Sequence, residues 1–239
     1  MNQKISLLQD IINQSHRIVF FTGAGVSTAS GIPDFRSEDG LYHQKYPYQP
    51  EKILSHHFFL EHTDTFYQFY KEKMIYPNVK PTYVHQYIAS LDHQKQVTVI
   101  TQNIDGLHQS AGSQHVLELH GSVLHNTCMQ CHHHYGIDEI IHQDGIPHCP
   151  NCNGIIKPDV VLYEESLDET ILTKSIHALQ QADTCIVLGT SLVVYPAAGL
   201  LQYFIGNNLV LINKQPTAYE QQASLVIHDD FINIFPNLK

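Results

Sequence analysis

The chain of 239 residues has no tryptophan, no long apolar run and no block of lysine or arginine. No apolar stretch approaches the ~20 residues that cross a bilayer, which argues against a membrane protein. The first residues, MNQKISLLQDIINQSHR, space Ile5, Leu8, Ile11 and Ile12 on one helical face among polar residues. A secretory leader needs an unbroken apolar segment and a small-residue cleavage site, so this pattern predicts a surface helix and a cytoplasmic protein. Lys and Arg total 13 against 23 acidic residues, a formal net charge of −10. Without clustered cations to neutralise phosphates, generic nucleic-acid binding is not expected. Internal repeats and low-complexity segments are also missing.

Two further absences concern the glycine-rich stretch VFFTGAGVSTASGIPDFRS, Val19 to Ser37. A dehydrogenase-type loop reads G-x-G-x-x-G, but Thr28 occupies the third glycine position after Gly23 and Gly25. No G-K-[ST] follows, which excludes a Walker-type phosphate loop. What remains is a β-branched strand breaking into Gly-Ala-Gly. Its backbone amides from Gly23 to Val26 are expected to converge on a pyrophosphate.

The residues that are present outline an α/β protein. The runs RIVFFTG, VTVITQ, HVLELHG, DVVLY, TCIVLG, NLVLIN and SLVIHD are mostly continuous, as in strands of a parallel sheet buried on both faces. Helical patterns such as PTYVHQYIASL and DETILTKSIHALQQA lie between them. The alternation predicts a doubly wound, Rossmann-like parallel sheet. The expected division is a nucleotide-binding domain of residues 1–36, 83–121 and 158–239. It is interrupted by an aromatic helical insert at 37–82, holding ILSHHFFL and TDTFYQFYKEKM, and by a cysteine-bearing insert at 122–157. Both inserts leave the carboxyl ends of strands, the edge where open α/β sheets bind ligands.

Four of the five cysteines form C-x2-C-x17-C-x2-C: Cys128, Cys131, Cys149 and Cys152. Paired knuckles at this spacing read as a zinc ribbon with a closed, structural tetrathiolate site. Two disulfides or a redox C-x-x-C are the competing readings, and a cytoplasmic setting counts against the first. His125, His132, His133, His134 and His148 crowd the block and are read as solvated. No Lys or Arg separates Cys128 from Cys152, while Asp138, Glu139 and Asp144 do, which removes the nucleic-acid reading of the ribbon. Cys185 is expected to be a small buried hydrophobe.

Further polar groups fall at strand ends: TQNIDGLHQSAG from Thr101, ELHGS around His120, LGTSLVVYPAAG from Leu188, and Asn213 after LVLIN. Taken in order with GAGVSTASGIPDFRS, the paired C-x2-C motifs and KPDVVLY, these segments resemble the sirtuins, the NAD-dependent protein deacylases, of bacterial type. The resemblance runs from about Arg17 to Asp230. It implies that NAD is consumed and that no hydride moves, so the missing third glycine is no defect.

By the same resemblance, Ala24, Thr28, Phe35 and Arg36 contact the cofactor, with IPDFR as a mobile cover and Phe35 on the reactive ribose face. Gln102 holds ribose hydroxyls; Asn103, Ile104 and Asp105 line the nicotinamide pocket. Thr190, Ser191, Asn213 and Asp230 take the adenosine half. His120 is the implied general base, its imidazole titrating near working pH, with Asn103 and Asp105 beside it in catalysis. The implied products are lysine, nicotinamide and 2′-O-acetyl-ADP-ribose. Substrate lysine is expected to pass Phe35 and Val161, its peptide pairing as an added strand. Glu164-Glu165 replaces the family's usual Gly-Glu, adding charge beside the peptide groove and a bias toward basic flanks.

Sirtuins that prefer succinyl or malonyl lysine carry a Tyr and, three residues on, an Arg. Here the Tyr is Tyr67, but Tyr70 follows it, so deacetylation is expected over desuccinylation. The partners implied are acyl-lysine proteins or peptides, with neither nucleic acid nor membrane. The oligomeric state is left open, a monomer being favoured. A mono-ADP-ribosyltransferase, a remover of longer or acidic acyl chains, and a non-enzymatic NAD sensor are the alternatives; a dehydrogenase ranks last.

Overall fold

The computed structural model describes every residue except 1, 38, 39, 44 and 45. Helix α1 (Asn2–Gln14) leads into strand β1 (Arg17–Thr22). The aromatic insert supplies α2 (Pro50–Ile53), α3 (His56–Glu61) and α4 (Thr63–Lys73), followed by α5 (Tyr83–Leu91). Strand β2 (Gln96–Thr101), the short α6 (Leu107–Ser110) and strand β3 (Val116–Glu118) come next. The cysteine block holds β4 (Gly121–Cys128), β5 (His134–Tyr135), α7 (Asp138–Ile141) and β6 (Ile156–Val160). Helix α8 (Glu169–Gln181), strands β7 (Thr184–Leu188), β8 (Asn208–Ile212) and β9 (Leu225–Ile227), and α9 (Phe231–Ile234) complete the described elements.

Six strands form one parallel sheet in the order β3-β2-β1-β7-β8-β9. This is the 3-2-1-4-5-6 order of a Rossmann fold, with three strands of the insert intervening in sequence. The order reverses between β1 and β7, where Thr22 lies opposite both Thr101 and Leu188. A ligand crevice is expected outside these carboxyl ends.

The continuity of RIVFF follows from its two buried faces. Ile18 and Phe20 enter one core with α1 and α5, while Val19 and Phe21 enter the other with Leu179 of α8 and Cys185. Successive strand residues point to opposite sides, so a strand covered on both needs apolar residues throughout. Each such fully buried side chain contributes roughly 1.5–3 kcal/mol.

The two inserts share a third core. Phe58, Phe59, Phe66, Tyr67, Phe69 and Tyr70 pack on Val123, Ile156 and Val160 of the small antiparallel sheet β5-β4-β6. Edge-to-face contacts dominate, with Phe59 and Phe66 centroids 5.0 Å apart, and Tyr70 stacks on Phe66 at 13°.

Two elements differ from expectation. DVVLY is not a strand of the parallel sheet: β6 ends at Val160 and pairs antiparallel with β4. A continuous apolar run shows burial on both sides, which a small sheet packed on an aromatic module also provides. The helical pattern ILSHHFFL is cut at Ser55, whose hydroxyl caps α3 through the Phe58 N–H. Leu54 and His56 there exchange backbone bonds with Tyr163, at 2.9 Å each.

Candidate active site

At the end of β1 the chain turns into two short 3-10 segments, Ala24–Val26 and Thr28–Ser30. Gly23 and Gly25 are there for close approach to the turn after β7. A Cβ on Gly25 would lie 2.7 Å from Gly189 Cα, and one on Gly23 equally close to Thr190 Cβ. The expected convergence of free amides is corrected here. The Gly23 N–H donates to Leu188 O, that of Gly25 to Gly189 O and that of Val26 to Gly23 O, at 3.0, 2.9 and 3.2 Å. The loop is therefore tied to the β7 turn. Ala24 is half-buried, and Thr28 is exposed, its hydroxyl donating to Gly25 O.

A polar network crosses from this loop to the end of β2. Ser27 Oγ donates to Asp105 Oδ2 at 2.6 Å and accepts from Asn103 Nδ2 at 3.1 Å. Asp105 Oδ1 accepts the Leu107 N–H at the start of α6. Burial raises the Asp105 pKa, and these hydrogen bonds oppose the rise. Ser27, 1% exposed, is a site residue that the sequence reading missed. In GVSTAS it looks like any other small polar loop residue.

Gln102 joins three strand ends. Its N–H donates to Thr22 O and its carboxamide to Thr190 Oγ1, each at 3.0 Å. Its carbonyl lies 2.9 Å from Nδ1 of His120. A carbonyl can only accept, so Nδ1 carries the proton and Nε2 of the neutral ring keeps its lone pair. Burial lowers the pKa of His120, with the Gln102 carbonyl acting in the opposite sense. The chain reverses immediately after it at Gly121, φ 74°, where any Cβ would sit 1.9 Å from Asp159 O. The Val161 N–H donates to His120 O at 2.9 Å, bringing half-buried Val161 beside the histidine.

Thus Asn103 and Asp105 meet through Ser27, and His120, Gln102 and Thr190 form a second set. Ile104 is half-buried on the margin of the aromatic core, as is Phe35, whose ring meets Tyr42 edge-on at 5.5 Å. The Arg36 guanidinium lies 5.2 Å over the same Tyr42 ring. Ser191 is half-buried. Asn213 donates its amide to Gln215 O, and Asp230 pairs with Lys214 at 2.8 Å while capping α9, so both are engaged locally. Tyr67 is fully buried in the aromatic core and donates its hydroxyl to Ile156 O. Glu164 adopts φ 76°, a left-handed conformation that favours glycine, and its carboxylate accepts the His57 N–H at 3.0 Å.

The four ribbon cysteines place their Sγ atoms within 4.8 Å of one another. Cys128 and Cys152 are 3.5 Å apart, Cys131 and Cys149 3.6 Å. A zinc tetrahedron with bonds of about 2.3 Å separates its sulfurs by about 3.8 Å, so the set fits one such ion. Both knuckles have the same turn: His132 and Asn153 follow the second cysteine at φ 58° and 62°, bonded back to Cys128 O and Cys149 O. His125, His132, His133, His134 and His148 are exposed.

Comparison with known proteins agrees with this geometry. The sequence model described as Sir2 family matches residues 23–196. An NAD-dependent protein deacetylase of Clostridium acetobutylicum is 55% identical over 230 residues, covering 95% of this chain and 94% of that protein. One from Staphylococcus aureus strain Mu50 is 46% identical over 241 residues, covering 100% and 99%. Among solved structures, a Sir2 complex with a p53 peptide and NAD+ matches with TM-score 0.86 and 37% identity, covering 98% of this chain and 96% of that one. A Sir2 complex with an inhibitor, 2′-O-acetyl-ADP-ribose and deacetylated p53 peptide gives 0.85 and 37%, covering 97% and 96%. The chain belongs to the Sir2 family.

Proposed function

We propose that this protein removes acetyl groups from lysine side chains of proteins, consuming NAD and releasing nicotinamide, 2′-O-acetyl-ADP-ribose and free lysine. The observation that carries this reading is His120, its Nδ1 proton held on the Gln102 carbonyl and its Nε2 left as a base. The polar set around it suits a dinucleotide: two carboxamides, Gln102 and Asn103, two hydroxyls, Ser27 and Thr190, and the half-buried Asp105 carboxylate at adjoining strand ends. NAD supplies the ribose to which the acyl group passes.

In this reading His120 Nε2 takes a proton from a ribose hydroxyl, while the Gln102 carbonyl keeps the ring from turning. Gln102 holds ribose hydroxyls, with Thr190, Ser191, Asn213 and Asp230 toward the adenosine end. Asn103, Ile104 and Asp105 form the nicotinamide pocket, and Ser27 fixes the first and last of these against each other. Ala24, Thr28, Phe35 and Arg36 cover the cofactor, and Phe35 and Val161 flank the incoming lysine. The four thiolates hold a structural zinc, a closed site with no position for substrate.

Acetyl is preferred over succinyl because Tyr70, not a guanidinium, stands three residues after Tyr67 and no carboxylate clamp forms there. Tyr67 already donates to Ile156, Tyr70 is buried against Phe66, and the Lys71 ammonium donates to the Gln143 and Gly145 carbonyls. The substrates are acyl-lysine proteins or peptides in the cytoplasm, a setting that supports free thiols. No helix among the described residues is long and apolar enough to cross a membrane.

The test is mass spectrometry of an acetyl-lysine and a succinyl-lysine peptide, each incubated with the protein and NAD. Deacetylation with matching nicotinamide and O-acetyl-ADP-ribose is expected. Succinyl removal alone would overturn the acyl preference, and ADP-ribose appearing on added proteins without deacylation would overturn the reaction.

A further inference from the structure

Two buried histidines lie behind the nucleotide loop, outside the set of residues described above. His85 and His108 are 0% and 1% exposed, and their ring centroids are 4.5 Å apart with planes at 60°. His85 occupies the third position of α5. There it reaches back to Thr82 as the Glu or Gln of a capping box does, with an uncharged imidazole in the carboxylate's place. The Thr82 N–H donates to His85 Nδ1 at 3.1 Å, so that nitrogen carries no proton. Thr82 Oγ1 lies 2.8 Å from the same atom and 3.0 Å from the Val26 carbonyl, so its single proton is shared between these two acceptors. On α6, His108 Nε2 is 3.0 Å from Thr22 Oγ1.

Thr22 directly precedes the loop and Val26 ends its first turn. Each flank of Gly23-Ala24-Gly25 is thus held through a threonine hydroxyl next to an imidazole, and the two rings touch. The arrangement is not what stability alone would favour. His85 Nε2 and His108 Nδ1 have no partner among the described residues. Unpaired buried nitrogens are costly, and apolar side chains of similar shape would fill the space without that loss. What two imidazoles provide, and apolar groups would not, is a fixed acceptor for the Thr82 N–H on one side and a partner for the Thr22 hydroxyl on the other.

We propose that His85 and His108, acting through Thr82 and Thr22, are positioning residues that clamp the Gly23–Gly25 loop and thereby set the affinity for the dinucleotide. This rests on the reading that the loop binds NAD. The Thr22 carbonyl also accepts the Gln102 N–H, and Gln102 in turn holds His120. The base nevertheless has its own bond to Gln102, so the clamp acts on binding rather than on the chemical step.

The experiment compares wild type with His85→Leu, His85→Asn, His108→Leu and Thr22→Val. Amide hydrogen exchange is measured at Gly23, Gly25 and Val26 without ligand, and NAD binding and steady-state kinetics are measured alongside. His85→Leu and Thr22→Val should speed exchange in the loop about tenfold, as expected for one lost buried hydrogen bond, while β2 stays protected. The NAD Kd and KM should rise by a similar factor, with kcat at saturating NAD within about twofold. His85→Asn, whose Oδ1 can accept from Thr82, should restore most of the affinity. If either leucine variant does not fold, the near-isosteric Thr22→Val carries the test. Unchanged loop exchange, or a lower kcat with unchanged KM, would overturn the clamp. If wild type bound no NAD, the reading of the site would fall instead, and loop exchange would still decide the clamp.

Discussion

The cysteine ribbon and the nucleotide crevice are both built from side chains that meet in space, yet they differ in how far apart those residues lie along the chain. The ribbon gathers its four sulfurs from 25 positions, Cys128 to Cys152, in two knuckles that repeat one turn. The crevice draws Ser27, Gln102, Asp105, His120 and Thr190 from four strand ends, aligned by the register of β1 against β2 and β7. A metal site imposes a spacing that can be read locally. A dinucleotide site imposes only that each strand end offer something polar.

The largest effect tests the ribbon. Removing its metal with a chelator, or replacing Cys128 by Ser, should unfold the small sheet and the aromatic core packed on it. Cys128 and Cys149 both belong to that core. Circular dichroism and zinc analysis would register the loss, with one ion per chain in the native protein. Metal-free protein that stayed folded and lost only its chemistry would break the comparison by making the ribbon part of the reaction.

Next comes the crevice network. Asp105→Asn and Ser27→Ala should each lower kcat by on the order of tenfold to a hundredfold. Their effects should be non-additive, because both alter the same Ser27–Asp105 hydrogen bond. A full double-mutant cycle in kcat would check this.

Acid stability comes third. His85 is pushed down by burial to about 4, against about 6.5 in an unfolded chain. The unfolded state therefore binds more protons between these values. Stability is at its full value above about 6.5 and is lost as pH falls through about 4. The contribution of His85 is on the order of 3 kcal/mol, and His108, lowered in the same direction by burial, adds to it. Urea midpoints from pH 7 to 4 should fall along this window and flatten in His85→Asn.

Glu164→Gly gives the smallest effect. Relief of the left-handed backbone should outweigh the lost acceptor for His57 N–H, raising stability by less than about 1 kcal/mol. The same change should weaken any preference for basic residues flanking the substrate lysine, read from KM values of two peptides.

These contrasts also explain what could be read in advance. The two C-x2-C pairs, the both-faces-buried strands and the His-Gly turn at 120–121 each carry a local physical requirement. Ser27 does not, since nothing in GVSTAS separates it from Thr28 or Ser30. His85 and His108 are equally silent: single histidines in helical patterns give no sign that their rings meet. DVVLY showed burial but not which sheet it joins. The glycines of the loop were legible as a need for close approach. The approaching group, however, proved to be Gly189 and Thr190, which only the strand order brings there.

The most direct test of the central assignment is His120→Ala, measured for both deacetylation and NAD binding. With the base gone and Gln102 still bonded to Thr190, kcat should fall by about a thousandfold while the Kd for NAD stays within about threefold. Substantial remaining turnover, or a loss of NAD binding as large as the loss of kcat, would contradict His120 as the base of this site.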